Sequence, residues 1–92
     1  MGSAEKVSTV RELHGKAMEL ADLAFVASRK DESETAVRLF AEAFALERQA
    51  AERIIANGNA EPTRSILLQS AASLALNCGQ PREAERLMAM AS

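Results

Sequence analysis

The single histidine of this 92-residue chain is the first side chain to consider for chemistry. His14 lies beside Leu13 at the edge of an apolar stripe with helical spacing. A histidine base needs an orienting acid and a nucleophile within reach, and a metal would want ligands at i+3 or i+4, where Ala17 and Met18 stand. We therefore expect His14 to be a half-buried structural residue, with no metal ion and no catalytic role.

The single cysteine, Cys78, is a second candidate. One cysteine can form neither an internal disulfide nor a cysteine-based metal site. Its predicted place is the C-terminal end of a helix, where the negative end of the helix dipole disfavours a thiolate. We expect Cys78 to be a small buried hydrophobic residue.

The third candidate is Glu47, which interrupts the apolar stripe of a predicted second helix. A carboxylate buried at that point requires a partner, and Arg64 or Arg11 would suit it. A small enzyme or ligand-binding protein would instead place polar groups near His14, Glu47 and Arg64. The structural ion pair is the preferred interpretation, and no enzymatic activity and no cofactor are predicted.

Composition narrows the class of protein. Apolar residues make up 48% of the chain, and there are nineteen alanines but only three aromatic residues, all Phe. This balance argues against an all-β sandwich or barrel and favours closely packed helices. The net charge of −2 is unlike that of a nucleic-acid binder. No apolar run is long enough to span a membrane, and the N-terminus does not resemble a signal peptide, so we expect a cytoplasmic protein with no membrane partner.

Start and stop signals divide the chain into four predicted helices, at about 8–29, 32–57, 62–77 and 81–91. Two starts read as capping boxes or close variants, Thr9-x-x-Glu12 and Asp31-x-x-Glu34. The other two starts have a proline in the first turn, at Pro62 and Pro81. The stops at Gly58 and Gly79 suit a left-handed residue after a helix end. Short links predict one all-α domain of antiparallel neighbours over residues 1–92, with hairpins at about 8–57 and 62–91.

The spacing of small and large residues is repeated. Helices 3 and 4 hold the series Leu68, Ala71, Ala72, Ala75, Ala84, Met88 and Ala91. Helices 1 and 2 hold the series Ala17, Leu20, Ala21, Ala24, Ala36, Phe40 and Ala43. Small residues such as Ala21 with Ala36, and Ala72 with Ala84, would let paired helix axes approach closely. This rhythm resembles the tetratricopeptide repeat, although the Trp, Tyr and trailing Pro of that family are missing. A plain four-helix bundle and a microtubule-interacting-and-transport-type three-helix domain are the alternatives.

The resemblance implies a groove lined by the first helix of each hairpin. Its positions in this sequence are Met18, Asp22, Phe25 and Val26 on helix 1, and Ile66, Gln69, Ser73, Leu76 and Asn77 on helix 3. Many of them are large and apolar, and a helix that is apolar on more than one face must bury both faces. An uncovered patch of this kind marks an interface.

Four ways of covering the helix 1 positions are open. They are core of a bundle that closes on itself, or the long helix 2 folds back and its end, with Ile54 and Ile55, packs on helix 3. Alternatively a second copy docks to give a twofold dimer, or a foreign peptide or helix occupies the groove. The sequence thus predicts a small protein–protein interaction module, most simply a homodimer, anchored by Met18, Phe25, Ile66 and Leu76. A regulatory or adaptor protein that binds a peptide of another protein is the alternative.

Overall fold

A computed structural model describes residues 9–56, 61 and 63–91 and shows an all-α chain. Its helices are α1 (Val10–Arg29), α2 (Ser33–Ala56), α3 (Thr63–Asn77) and α4 (Pro81–Ala91). No strand occurs within these described ranges. The four predicted helices are confirmed, while Gly58, Pro62 and the predicted ends at residues 8, 57 and 62 lie outside the described residues.

The start of α1 is the predicted capping box. The backbone N–H of Glu12 donates to the Thr9 hydroxyl at 3.0 Å, and the Thr9 N–H donates to the Glu12 carboxylate at 3.0 Å. These reciprocal bonds satisfy N–H groups that have no partner within the helix. Their acid also suits the positive end of the helix dipole.

The prediction of a second capping box at Asp31 is wrong. Asp31 has φ 63° and lies in the left-handed region, after the C-cap residue Lys30 of α1. The N–H of Glu32 donates to the Ala27 carbonyl at 2.9 Å, and the N–H of Asp31 donates to the Ser28 carbonyl at 3.2 Å. These two bonds form a Schellman motif, so Asp31 ends α1 and does not start α2.

The link between α3 and α4 uses the same motif. Gly79 has φ 80°, as predicted from its place after a helix end. The N–H of Gln80 donates to the Ala75 carbonyl at 2.8 Å, and the N–H of Gly79 donates to the Leu76 carbonyl at 3.2 Å. Pro81 then starts α4, where its missing N–H costs nothing.

Contacts between the helices fix their directions. Phe25 of α1 contacts Phe40 of α2, and both lie near the turn between the two helices. His14 contacts Glu47, and both lie further from that turn. This is the pairing of an antiparallel hairpin. Arg64 near the start of α3 reaches the Met90 carbonyl near the end of α4, which gives α3 and α4 the same relation. Extensive packing joins α1 to α2, α2 to α3, and α3 to α4.

The core is built largely of alanine. The four small residues expected between paired helices, Ala21, Ala36, Ala72 and Ala84, are all buried, as is Phe40. Small side chains there allow short distances between helix axes.

Met88 belongs to the repeated series, and its spacing predicts a core position; the structure instead leaves Met88 exposed, whereas Met90 packs against the core. The reason is that α4 is the last helix, so that its outer side has no following helix to cover it in the described part of the chain. None of the helices, as far as they are described, combines the length and apolarity needed to cross a bilayer.

Candidate functional site

The predicted groove residues lie on the outside of α1 and α3. Met18 is half-buried. Six other groove residues are exposed: Asp22, Phe25, Val26, Ile66, Gln69 and Leu76. The apolar members are far from covered, with exposed fractions of 46% for Phe25, 39% for Val26, 55% for Ile66 and 61% for Leu76. Phe25 and Val26 are therefore not core of a bundle closed on itself within one chain.

Ile54 and Ile55, at the end of α2, are partly buried against the core. Ile54 and Ile55 do not cover Phe25 or Val26, because both of these residues are exposed. The fold-back of α2 is thus not what covers these two residues.

Phe25 is exposed but held in place. Its ring meets the ring of Phe40 edge to face, with centroids 4.9 Å apart and an interplanar angle of 82°. An edge-to-face pair adds about 0.5–1.5 kcal/mol to the stabilisation from burial. Because Phe40 is buried, it fixes one edge of Phe25 while the remaining ring surface faces outward. A binding partner would meet a side chain that has already lost much of its rotamer freedom.

A pocket of about 410 Å³ opens between the first turns of α1 and α3. Its lining is formed by Val10, Arg11 and His14 of α1 and by Thr63, Ile66 and Leu67 of α3. Of the predicted groove residues it contains Ile66 alone. Phe25, Val26 and Leu76 belong instead to the C-terminal halves of the same two helices.

At the edge of this pocket, His14 bonds to Glu47 of α2. Nδ1 of His14 lies 2.9 Å from one carboxylate oxygen of Glu47 and 2.8 Å from the other. A carboxylate in its ionised form can only accept, and in that form it accepts the hydrogen that Nδ1 donates. Glu47 is fully buried, at 0% exposure, whereas the imidazole remains partly exposed.

The prediction that Glu47 is buried and paired is confirmed, but the predicted partner is wrong. Arg64 donates to the Met90 carbonyl at 2.6 Å and pairs with Glu61 at 3.2 Å. Arg11 lines the pocket and makes no hydrogen bond or ion pair with another described residue. The partner is His14 because this residue lies across the antiparallel hairpin from Glu47, at about the same distance along the helices from the turn.

This arrangement limits the chemistry that the site can do. Nδ1 of His14 is occupied by Glu47, which leaves Nε2 as the free ring nitrogen at the pocket. Thr63 is the sole hydroxyl in the lining. Among the described residues, no group of three His, Cys, Asp or Glu side chains is placed to hold a metal ion. The pocket thus offers an apolar wall with a guanidinium and an imidazole, which suits binding.

Cys78 and Glu61 have shifted pKa values and are not among the residues that line this pocket. Burial raises the pKa of the Cys78 thiol, which agrees with the predicted lack of an activated thiolate, although the side chain is half-buried and not fully buried as predicted. The Ser65 hydroxyl lowers the pKa of Glu61, whose carboxylate also accepts the Ser65 N–H at 3.1 Å. Both arrangements are explained by local structure at helix ends.

Sequence reasoning missed most of the pocket lining: Val10, Arg11, Thr63 and Leu67. A signal was present, since Val10, Arg11 and His14 have the i, i+1 and i+4 spacing of neighbours on one helix face. No signal in the sequence indicated that α1 and α3 are separated near their first turns, and this separation forms the pocket. No protein-family model, no curated protein and no solved structure matches the chain.

Proposed function

We propose that this chain is a small protein–protein interaction module of tetratricopeptide-like type, which self-associates or binds a partner through the apolar faces of α1 and α3. The observation that carries the proposal is the exposure of Phe25, Val26, Ile66 and Leu76 on these two helices. Single exposed apolar residues are ordinary, whereas a contiguous apolar patch of several hundred Å² marks an interaction surface, and we propose that these four residues contribute to such a patch. In this proposal the module has no catalytic activity of its own.

An estimate of the free energy shows how much the four exposed apolar side chains could contribute to association. Completing the burial of one half-exposed large apolar side chain contributes about 1 kcal/mol. The four side chains of one chain then contribute about 4 kcal/mol, and a twofold dimer contributes about 8 kcal/mol from both copies. The loss of translational and rotational freedom costs about 4–15 kcal/mol, so the contribution of the two copies of a dimer is of the same order as this cost.

The packing order supports the open, repeat-like arrangement within this proposal. Each helix packs extensively on the next one along the chain, and the described chain measures 40 × 39 × 18 Å. A closed four-helix bundle would instead have two short dimensions, because its helices form a square with axes about 8–10 Å apart. A chain with two hairpins has fewer units than the three or so that a stable solenoid needs, which also favours association.

A regulatory or adaptor role, in which another protein supplies the peptide or helix, is the second form of the proposal. The pocket beside His14 favours it, because this site is open and lies on the same two helices as the exposed apolar residues. We place either form in the cytoplasm, where Cys78 would stay reduced without a disulfide partner.

The decisive experiment compares two substitutions on α1. Phe25→Asp puts a charge into the proposed surface, whereas Leu23→Asp puts the same charge on the same helix about 160° around it from Phe25. Leu23 is a matched control, because it is exposed to a similar extent, at 55%. The solution mass at micromolar concentration is measured by light scattering, with helix content by circular dichroism.

We expect the unmodified protein and Leu23→Asp to associate and Phe25→Asp to be monomeric with the same helix content. If the unmodified protein is monomeric, self-association is refuted. A pull-down that compares the same three proteins then tests the adaptor form. A partner captured equally by all three proteins contradicts the proposed surface.

A further inference from the structure

The exposed face of α1 has a charge pattern that is complementary to itself. Asp22, Phe25, Val26 and Arg29 follow one another at i, i+3, i+4 and i+7, which places them in one stripe along the helix. All four are exposed. An acid thus precedes the apolar pair by about one turn, and a base follows it by about one turn.

Neither charge of this stripe is neutralised by another residue in the described part of the chain. The side chains of Asp22 and Arg29 form no hydrogen bond or ion pair with another described residue. They lie about 10.5 Å apart along the helix axis and are not i,i+4 neighbours. The i±3 and i±4 positions of Asp22 within α1 offer it no base, and those of Arg29 offer it no acid.

We propose that the occupant of this stripe is a second copy of the chain, with its α1 packed antiparallel on the first. The inference rests on the proposed function and specifies its geometry. A twofold axis that passes between residues 25 and 26 sets Phe25 opposite Val26 of the partner subunit, and Val26 opposite Phe25 of the partner subunit. The same axis brings Asp22 opposite Arg29 of the partner subunit, and Arg29 opposite Asp22 of the partner subunit.

The pairing is specific for this direction. A parallel arrangement of two α1 helices would bring Asp22 onto its own copy and Arg29 onto its own copy, and like charges repel. The antiparallel arrangement turns both contacts into opposite-charge pairs. It also gives the isologous interface that a twofold dimer requires, in which each residue meets its complement twice. The charges set direction and register, while Phe25 and Val26 supply the apolar contact.

The test is a charge reversal with a built-in rescue. Asp22→Arg gives a stripe with two bases, and Arg29→Asp gives a stripe with two acids. Each variant alone should dimerise about tenfold or more weakly than the unmodified protein, because two favourable contacts become two repulsive ones. A one-to-one mixture of the two variants should form a heterodimer, since every base then faces an acid. The doubly substituted chain, Asp22→Arg with Arg29→Asp, should regain the homodimer.

Native mass spectrometry distinguishes the heterodimer from either homodimer by mass, and light scattering gives the affinity of each species. Lys16→Asp is the matched control, because Lys16 is exposed on the same helix outside the stripe. It should leave the dimer unchanged. Circular dichroism shows whether each variant keeps the helix content of the unmodified chain.

The outcomes separate this inference from the broader proposal. If the protein dimerises and Phe25→Asp disrupts it but the charge reversals and their mixture behave like the unmodified chain, the inferred register is wrong and the proposed apolar surface stands. If the dimer survives Phe25→Asp as well, both are wrong. An unmodified chain that stays monomeric overturns the twofold pairing and leaves the adaptor form to be tested.

Discussion

The first hairpin, α1 with α2, and the second hairpin, α3 with α4, turn through the same backbone motif with different residues. In both turns the N–H two residues past the C-cap donates back to a carbonyl of the last helical turn, at 2.9 Å in the first and 2.8 Å in the second. The left-handed position is taken by Asp31 in the first turn and by Gly79 in the second. In both three-residue links the Schellman motif requires a left-handed backbone conformation at this position. Glycine adopts that conformation without a steric penalty from a Cβ, whereas aspartate incurs one.

The contacts away from the turns differ more. The first hairpin is joined by the buried carboxylate of Glu47 and the imidazole of His14. The second is joined by a cation, Arg64, that donates to the Met90 backbone carbonyl at the end of α4. A buried charge tolerates the loss of its partner poorly, whereas a backbone carbonyl near a helix end can turn to water. The first hairpin should therefore be the more sensitive to single substitutions.

The largest expected effect is that of His14→Ala. This change leaves the Glu47 carboxylate buried without its donor, which should lower the free energy of unfolding by about 3 kcal/mol. Urea denaturation followed by circular dichroism measures the loss. A loss below about 1 kcal/mol would be typical of an exposed ion pair and would show that the pair does not hold the hairpin together.

Two comparisons sharpen this prediction. The double variant His14→Ala with Glu47→Leu removes the charge along with its partner and should recover most of the loss. Arg64→Ala, the equivalent change in the second hairpin, removes a hydrogen bond from a charged donor and should cost about 1.5–3 kcal/mol at most. Equal losses for His14→Ala and Arg64→Ala would remove the distinction between the hairpins.

Substitutions at the left-handed residues of the two turns should change the free energy of unfolding in opposite directions. Gly79→Ala puts a Cβ on a residue with φ 80° and should lower the free energy of unfolding by about 1 kcal/mol. No atom lies within 4 Å of that Cβ, so the cost is conformational and not steric. Asp31→Gly relieves the same strain in the first turn and should raise stability by about 0.5 kcal/mol. Thermal melts of the two variants measured together check the signs, and a stabilised Gly79→Ala protein would contradict the shared motif.

The smallest effect concerns Glu83 in the first turn of α4. Its hydrogen bond with Arg86 holds the pKa of this carboxyl below its ordinary value of 4.5, and Arg48 of α2 acts in the same direction from 4.0 Å. A lowered pKa in the folded state means that the stabilisation is present above pH 4.5 and is lost as the pH falls through the folded-state pKa. Glu83→Gln should thus lower the melting temperature slightly at neutral pH.

In acid the melting temperatures of Glu83→Gln and the unmodified chain should converge. Glu85→Gln is the matched control, because Glu85 is an exposed acid on α4 without an ion pair to any described residue. A constant difference between Glu83→Gln and the unmodified chain at all pH values would show that the effect is not electrostatic. A pH-dependent effect of similar size in Glu85→Gln would show that it is not specific to the Arg48 and Arg86 contacts.

Local signals in the sequence predicted the helices and part of their ends. The capping box of Thr9 and the left-handed Gly79 depend on neighbours within a few residues, and both were read correctly. Asp31 was misread, because an acid before a helix start is equally compatible with the C-terminal stop of the preceding helix when the link is three residues long. The hydrogen bond from the N–H of Glu32 to the Ala27 carbonyl shows that Asp31 belongs to the end of α1 and not to the start of α2.

The candidate site was predictable in part. The groove positions of α1 and α3 followed from the resemblance to the tetratricopeptide repeat, and the sequence left open whether they are core or surface; the structure shows Phe25, Val26, Ile66 and Leu76 exposed. The partner of Glu47 and the pocket at the first turns were not. Both depend on which residues of different helices come to lie opposite each other.

The sequence by itself determined four helices, their alanine-rich contact faces and the burial of an acid that would need a partner, because these follow from periodicity and composition over short stretches. Only the tertiary structure decided that His14 and not an arginine meets Glu47, that Met88 is exposed while Met90 packs inward, and that a pocket opens between α1 and α3. The physical reason is that register and separation between helices arise from the packing of all four together, and no single helix contains that information.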